Sequence, residues 1–281
     1  MEWNKTRAIA CVLILLALIL LGCTQQANAP NNDSQKMDEN ISVYFLDVNQ
    51  GDSIFIDANS GKMLIDCGEK EAGEKVSGFL RDKNVFALDF LVITHPHTDH
   101  FGGCAEVLEN FDVKKVLVNG EESESQGYLR LLGLAEGNRL VEAQKGLSGS
   151  LGKAQWTVLH SNEGDSDPNQ NSIVLMLLYG GEKFLFTGDC DRECENALLN
   201  EEIDSDVLKV AHHCSRYGTT EAFLQKATPL VAVIQSGKGN PYGHPNEECI
   251  SRLEEAGVQV HRNDLEGDIE VKSDGLLIFV N

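Results

Sequence analysis

The segment 93–103 reads ITHPHTDHFGG and sets His95, His97, Asp99 and His100 within six positions. Neutral imidazole and carboxylate are natural ligands for Zn²⁺, Mn²⁺ or Fe²⁺. His95 and His97 lie two apart, so on an extended segment they point to the same side. Four such donors could not be buried without partners, because each would lose its hydration. A solvated polar turn is the plain alternative. Against it, the apolar run DFLVIT (89–94) delivers the cluster from a core strand, and Gly102–Gly103 lets backbone approach closely.

Three further stretches offer donors of the same kind. FLFTGD ends in Asp189, VLKVAHHCS carries His212 and His213, and NPYGHP holds His244 between Gly243 and Pro245. A lone carboxylate after a strand is as readily an Asx-turn former as a ligand. Adjacent residues on a strand face opposite ways, so only one of His212 and His213 is expected to face a site. His212 is assigned there as an acid or phosphate-contacting group. His213 is left a supporting role and, with Asn171 and Ser215, stands among the candidates for substrate contact.

These donors need a scaffold, and the mature part of the chain supplies regular signals. ISVYFLDV (41–48), SIFIDA (53–58) and KMLIDCG (62–68) read as consecutive strands with turn residues between them. A helix is expected over 71–82, a buried strand over 89–94, a helix over 104–111 and a strand over 114–120. Residues 121–150 are polar and hard to read. Strand character returns at 155–160, 172–180 and 183–189, followed by a helix at 191–200. Two strand-like runs, a helix at 246–256 and a terminal strand pair complete the domain. The opening meander argues against a purely parallel sheet, and two mixed sheets with helices outside fit best.

With all four donor stretches in view, THPHTDH resembles the HxHxDH signature of the metallo-β-lactamase superfamily. The resemblance implies an α+β fold, a four-layer αββα sandwich over 41–281 that holds one or two divalent ions, zinc or manganese. It narrows further: YFLDVNQGDSIFI, MLIDCG, NSIVLML, VLKVAHHCS and NPYGHP follow in order the pattern of the C-terminal domain of the ComEC competence family. By that resemblance His95, His97 and Asp189 hold one metal, and Asp99, His100, Asp189 and His244 hold the second. A histidine usual before the SIVL-type strand is missing here. Asn169 or Asn171 stands near its place, and His160 is a substitute to weigh. Asn49 and Cys214 occupy positions where glycine is usual, and Cys67 stands near a usual threonine.

The chemistry implied is hydrolysis by a metal-activated water, with Asp99 orienting it and His212 protonating the leaving group. The favoured reading is a phosphodiesterase or nuclease, with DNA as the candidate substrate. The alternatives are another ester or amide hydrolase, cleaving a β-lactam or lactone, and a metal-binding lipoprotein without catalysis. The net charge of −21 repels polyanions at long range, so a nucleic-acid substrate needs a local positive site such as a bound cation.

The first 23 residues read as a leader. Lys5 and Arg7 precede an apolar run from Ala8 to Leu21, shorter than the roughly 20 residues of a membrane span. The run ends in LLGC, which resembles a lipobox with Cys23 as the lipidated residue; an uncleaved anchor is the alternative. Both imply a membrane-tethered protein outside the cytoplasm. Residues 24–40 read as a flexible tether of about 20–25 Å. No obligate protein partner is evident. Six cysteines remain beyond the leader, enough for disulfides in an oxidising compartment. Cys214, beside the donors, reads as a disulfide partner, a soft ligand or a small buried residue.

Overall fold

The computed structural model describes residues 40–137 and 139–281. The leader, Cys23 and all but the last residue of the tether lie outside them. The described chain opens with β1 (Ile41–Phe45), β2 (Ile54–Asp57), β3 (Lys62–Ile65), β4 (Ala87–Ile93), β5 (Asp112–Val118) and β6 (Leu140–Glu142). It continues through β7 (Ser148–Leu151), β8 (Ala154–His160), β9 (Val174–Tyr179), β10 (Glu182–Phe186), β11 (Val207–Lys209), β12 (Val231–Ile234) and β13 (Gln259–Arg262). The terminal pair is β14 (Ile269–Ser273) and β15 (Ile278–Val280). One sheet has the order β15–β14–β1–β2–β3–β4–β5–β6, and the other β13–β12–β11–β10–β9–β8–β7.

Each sheet is half antiparallel and half parallel. The meander β1–β2–β3 pairs antiparallel, whereas β3 to β6 run parallel. In the other sheet β10 to β13 run parallel. Parallel neighbours need a crossover, and helices supply most of them. These are α1 (Gly73–Asp82), α2 (Thr98–Phe101), α3 (Cys104–Asn110), α4 (Gln126–Leu134), α5 (Arg192–Leu198), α6 (Glu221–Ala227) and α7 (Glu247–Glu255).

Three apolar layers show why the sheets stack face to face. Val43, Phe45, Ile56, Met63 and Ile65 of the first sheet meet Trp156, Leu175, Leu177, Phe184 and Phe186 of the second. Phe90 and Trp156 pack edge-on at 5.0 Å. On the outer face of the first sheet, Val76, Leu80, Val107 and Leu131 of the helices pack on Leu64, Leu91 and Val116. On the outer face of the second, Leu198, Phe223, Leu224 and Leu253 cover Leu185, Leu208 and Ala232. Both faces of the central strands are therefore dry, which is why DFLVIT carries a continuous apolar run. This is the expected αββα sandwich.

A buried carboxylate ties two of the outer helices together. Glu195 of α5 accepts the backbone N–H groups of Thr219 and Thr220 ahead of α6. Burial lifts its pKa to about 7, although those N–H groups favour the anion. A folded-state pKa above the unfolded one means that the folded protein holds the proton more tightly. Stability is then lost as pH rises from about 4.5 to about 7. Glu195→Gln should consequently gain about 2–3 kcal/mol relative to the parent between pH 5 and pH 8. Urea unfolding of both proteins at the two pH values measures this, and a pH-independent difference would contradict it.

Candidate metal centre

The carboxyl ends of the parallel strands meet along one edge of the sandwich, the place where open α/β sheets expose their loops to ligands. β4 ends there and delivers His95 and His97, and α2 follows with Asp99 and His100. β3 delivers Asp66, β10 delivers Asp189 through a glycine turn, and β11 leads to His212 and His213. Gly102 and Gly103 are needed here. A Cβ on Gly102 would lie 2.4 Å from the Thr98 carbonyl, and one on Gly103 2.4 Å from that of Cys67.

Three donor groups occur among the described residues; one, Asp52, Asp66 and His100, lies behind the other two, and Asp189 stands between those two. His95, His97 and Asp189 converge, with His95 Nε2 3.0 Å from His97 Nδ1 and 3.8 Å from Asp189 Oδ2. Asp99, His100 and His213 form the second group. His213 Nε2 lies 3.3 Å from Asp99 Oδ2 and 3.5 Å from Asp189 Oδ2, and His100 Nε2 lies 3.2 Å from the same Asp189 oxygen. His100 Nε2, His213 Nε2 and Asp189 Oδ1 are buried and make no hydrogen bond. Orphaned polar atoms of this kind are costly. Imidazole and carboxylate donors aimed at common points fit one or two divalent cations.

The outer nitrogens explain how the rings are aimed. His100 Nδ1–H donates to Asp66 at 2.8 Å, and Asp66 also accepts the backbone and hydroxyl of Thr94. His213 Nδ1–H donates to the Gln235 carbonyl at 2.9 Å, with Asp52 Oδ1 at 3.3 Å. Asp52 in turn pairs with Lys209 at 2.7 Å, and both are fully buried. His212 Nδ1–H donates to Asp191 at 2.8 Å, leaving Nε2 3.8 Å from Asp189. In each case the inner nitrogen is left as the one that faces the centre.

The electrostatics follow from this packing. Burial opposes charge on His100 and His213, yet the surrounding carboxylates, Asp189 foremost, hold both well above the ordinary imidazole value. Burial would raise Asp189, but His100, His213 and His212 hold it well below the usual carboxylate range. Burial drives His95 well below its ordinary value. His244 falls to about 4 through burial and the neighbouring His213 and His212. A cation must displace the protons of His100 and His213, so its affinity rises with pH.

Several expected roles are placed differently. His212 and His213 are not on a strand: β11 stops at Lys209, and both residues have left-handed backbone angles, φ 46° and 53°. Both rings therefore reach the cleft, and His213, expected in a supporting or substrate role, joins Asp99 and His100. His244, expected as a ligand, lines the same cleft outside both groups, its ring 5.5 Å from that of His212 and 6.1 Å from that of His213 and its Nδ1 buried without a hydrogen bond. Asn171 is used within its own loop, accepting the N–H groups of Glu163 and Asp165 and donating to the Asp165 carbonyl. Ser215 accepts the Tyr217 N–H. His160 turns to the Ser172 carbonyl and stays outside both groups. Asn169 does line the cleft, and its Oδ1 is buried without a partner. Asp52, Asp66, Asp191 and Lys209 had no role assigned from sequence. A carboxylate at or just past the end of an apolar strand, the signal read at Asp189, also marks Asp66 in MLIDCG.

A cleft of about 400 Å³ opens onto the centre, lined by Gln50, His97, Asp99, Asn169, Tyr242 and His244 among others, and no Lys or Arg of the described residues lines it. The orientation of His100 by Asp66 can be tested directly. Asp66→Asn should weaken Mn²⁺ or Zn²⁺ binding by about 10–100-fold, the usual effect of losing a carboxylate behind a metal histidine. Calorimetric titration at fixed pH measures it; unchanged affinity would remove Asp66 from the centre.

The comparisons with known proteins agree with this geometry. Residues 46–238 match the model of the metallo-β-lactamase superfamily. ComE operon protein 3 of Bacillus subtilis is 34% identical over 253 residues, covering 82% of this chain and 33% of that protein. Competence protein ComA of Neisseria gonorrhoeae is 29% identical over 239 residues, 82% of this chain and 32% of its own length. The chain thus spans about a third of the length of these relatives. Among solved structures, the metallo-β-lactamase fold protein YhfI from Bacillus subtilis shares the fold at 10% identity, with a TM-score of 0.56 over 86% of this chain and 100% of its own. The diiron β-hydroxylase CmlA of Streptomyces venezuelae gives 0.55 at 14% identity, over 83% and 54%. With its two donor groups at the carboxyl edge of an αββα sandwich, the chain belongs to the metallo-β-lactamase superfamily, and its curated homologues are proteins of the ComEC family.

Proposed function

We propose that this protein is a divalent-metal phosphodiesterase of nuclease type, with DNA as its candidate substrate, tethered outside the cytoplasmic membrane through Cys23. The observation that carries the reading is the pair of donor groups on either side of Asp189 at a cleft that no Lys or Arg of the described residues lines. On a chain of net charge −21, an anionic phosphodiester finds its positive partner only in bound cations and the imidazoles around them. The name of one relative, competence protein ComA, favours nucleic acid over other phosphodiesters.

His95, His97 and Asp189 would hold one ion, and Asp99, His100, His213 and Asp189 a second. Zn²⁺ or Mn²⁺ bound there supplies a polarised, readily deprotonated water and charge stabilisation for the phosphoryl oxygens. The chain's own residues do the rest. Asp99, less buried than the imidazoles beside it, is available to orient the attacking water from the cleft side. His212 carries its proton toward the cleft on Nε2, with Asp191 fixing the opposite nitrogen. Burial opposes its charge, but Asp189 and Asp191 raise its pKa, which suits donation to a leaving oxygen. His244, held neutral, contributes a hydrogen bond at the rim.

The test is hydrolysis of single-stranded DNA, double-stranded DNA and bis-p-nitrophenyl phosphate by the purified protein supplied with Mn²⁺ or Zn²⁺. Activity should fall at least about 100-fold in His97→Ala. Failure to cleave any of the three, or equal rates in His97→Ala, would sink the phosphodiesterase reading. Turnover of nitrocefin or a lactone in place of the phosphodiesters would favour the other ester or amide hydrolase.

A further inference from the structure

The disulfides of the described residues share a placement. Cys67 follows Asp66, Cys190 follows Asp189 and Cys214 follows His213, so each bridge has one sulfur directly after a side chain of the centre or its support. The partners Cys104, Cys194 and Cys249 sit in α3, α5 and α7. All six cysteines are buried.

The backbone around Cys214 gives its bridge a particular task. His212, His213 and Cys214 have φ of 46°, 53° and 63°, three successive side-chain-bearing residues in the left-handed region. Glycine enters that region freely; other residues meet a clash between Cβ and backbone. Such strain persists only where surrounding structure over-determines it. Here the Ser215 N–H bonds the His212 carbonyl at 2.8 Å, and the Asn246 N–H bonds the Cys214 carbonyl at 2.8 Å. Asn246 caps α7, the helix that carries Cys249. Backbone and sulfur thus tie the turn to the same helix end. A return of Cys214 to negative φ would reorient the preceding peptide and turn the His213 ring away from Asp99 and Asp189.

We propose that Cys214, through its disulfide to Cys249, is the positioning residue that holds the His212–His213 turn left-handed, doing by a covalent tie what a glycine would do by conformational freedom. The inference rests on the reading of His213 and its neighbours as a metal centre, and its effect is on cation binding, not on the chemical step.

Two double variants separate positioning from general stapling. C214A/C249A removes the bridge and keeps a Cβ, whereas C214G/C249A removes the bridge and supplies the freedom. Mn²⁺ affinity by calorimetry should fall on the order of tenfold in C214A/C249A. It should return to within about threefold of the parent in C214G/C249A. In the metal-free proteins, amide exchange over residues 211–215 should quicken in the alanine variant and slow again in the glycine variant. Equal losses in the two variants would make the bridge a general staple and overturn the proposal, as would parental binding and exchange in C214A/C249A. A parent that takes up no Mn²⁺ would sink the metal centre itself, while the exchange comparison would still decide the role of Cys214.

Discussion

Asp189 is the charge on which the two sheets of this molecule converge. It is 2% exposed, and four imidazole Nε2 atoms lie within 3.8 Å of its Oδ2. Buried without partners, a carboxylate would cost several kcal/mol. The sandwich brings its partners from both sides: His95 and His100 from the end of β4, His212 and His213 from the end of β11. Neither sheet could satisfy this carboxylate alone, so the packing that buries the apolar faces also assembles the centre.

Around this point the protein has built a second ring of fixed dipoles and charges. Asp66, the Gln235 carbonyl and Asp191 each take the outer nitrogen of one histidine and so leave the inner one facing the centre. Lys209 and Asp52 stand behind His213 as a fully buried ion pair. Such pairs rarely add stability over apolar residues of the same size. A role in holding His213 of the second donor group from behind accounts for its presence better than stability does.

The loops that carry these donors have little regular structure of their own, and three disulfides anchor them to α3, α5 and α7. Each helix is fixed in turn by its apolar face on a sheet. The centre is therefore held by covalent ties to rigid elements as well as by packing, which fits a protein expected in an oxidising compartment.

Much of this was legible from the residues themselves. The apolar runs located most strands because burial imposes a period of two or a continuous run, and THPHTDH named four donors because it sets them within six positions at the exit of a buried strand. Donor types are a property of the sequence. Their directions are not, wherever the backbone leaves helix and strand. VLKVAHHCS reads as a strand, which would send His212 and His213 to opposite faces; the left-handed turn sends both to the cleft, where His213 meets Asp99 and His100. No local period encodes such a turn. It exists because a disulfide, a helix cap and a buried carbonyl, drawn from segments far apart in the chain, hold it there. The support from Asp52, Asp66 and Lys209 was hidden for the same reason: what a buried charge does depends on which distant group it meets, and only tertiary packing decides that.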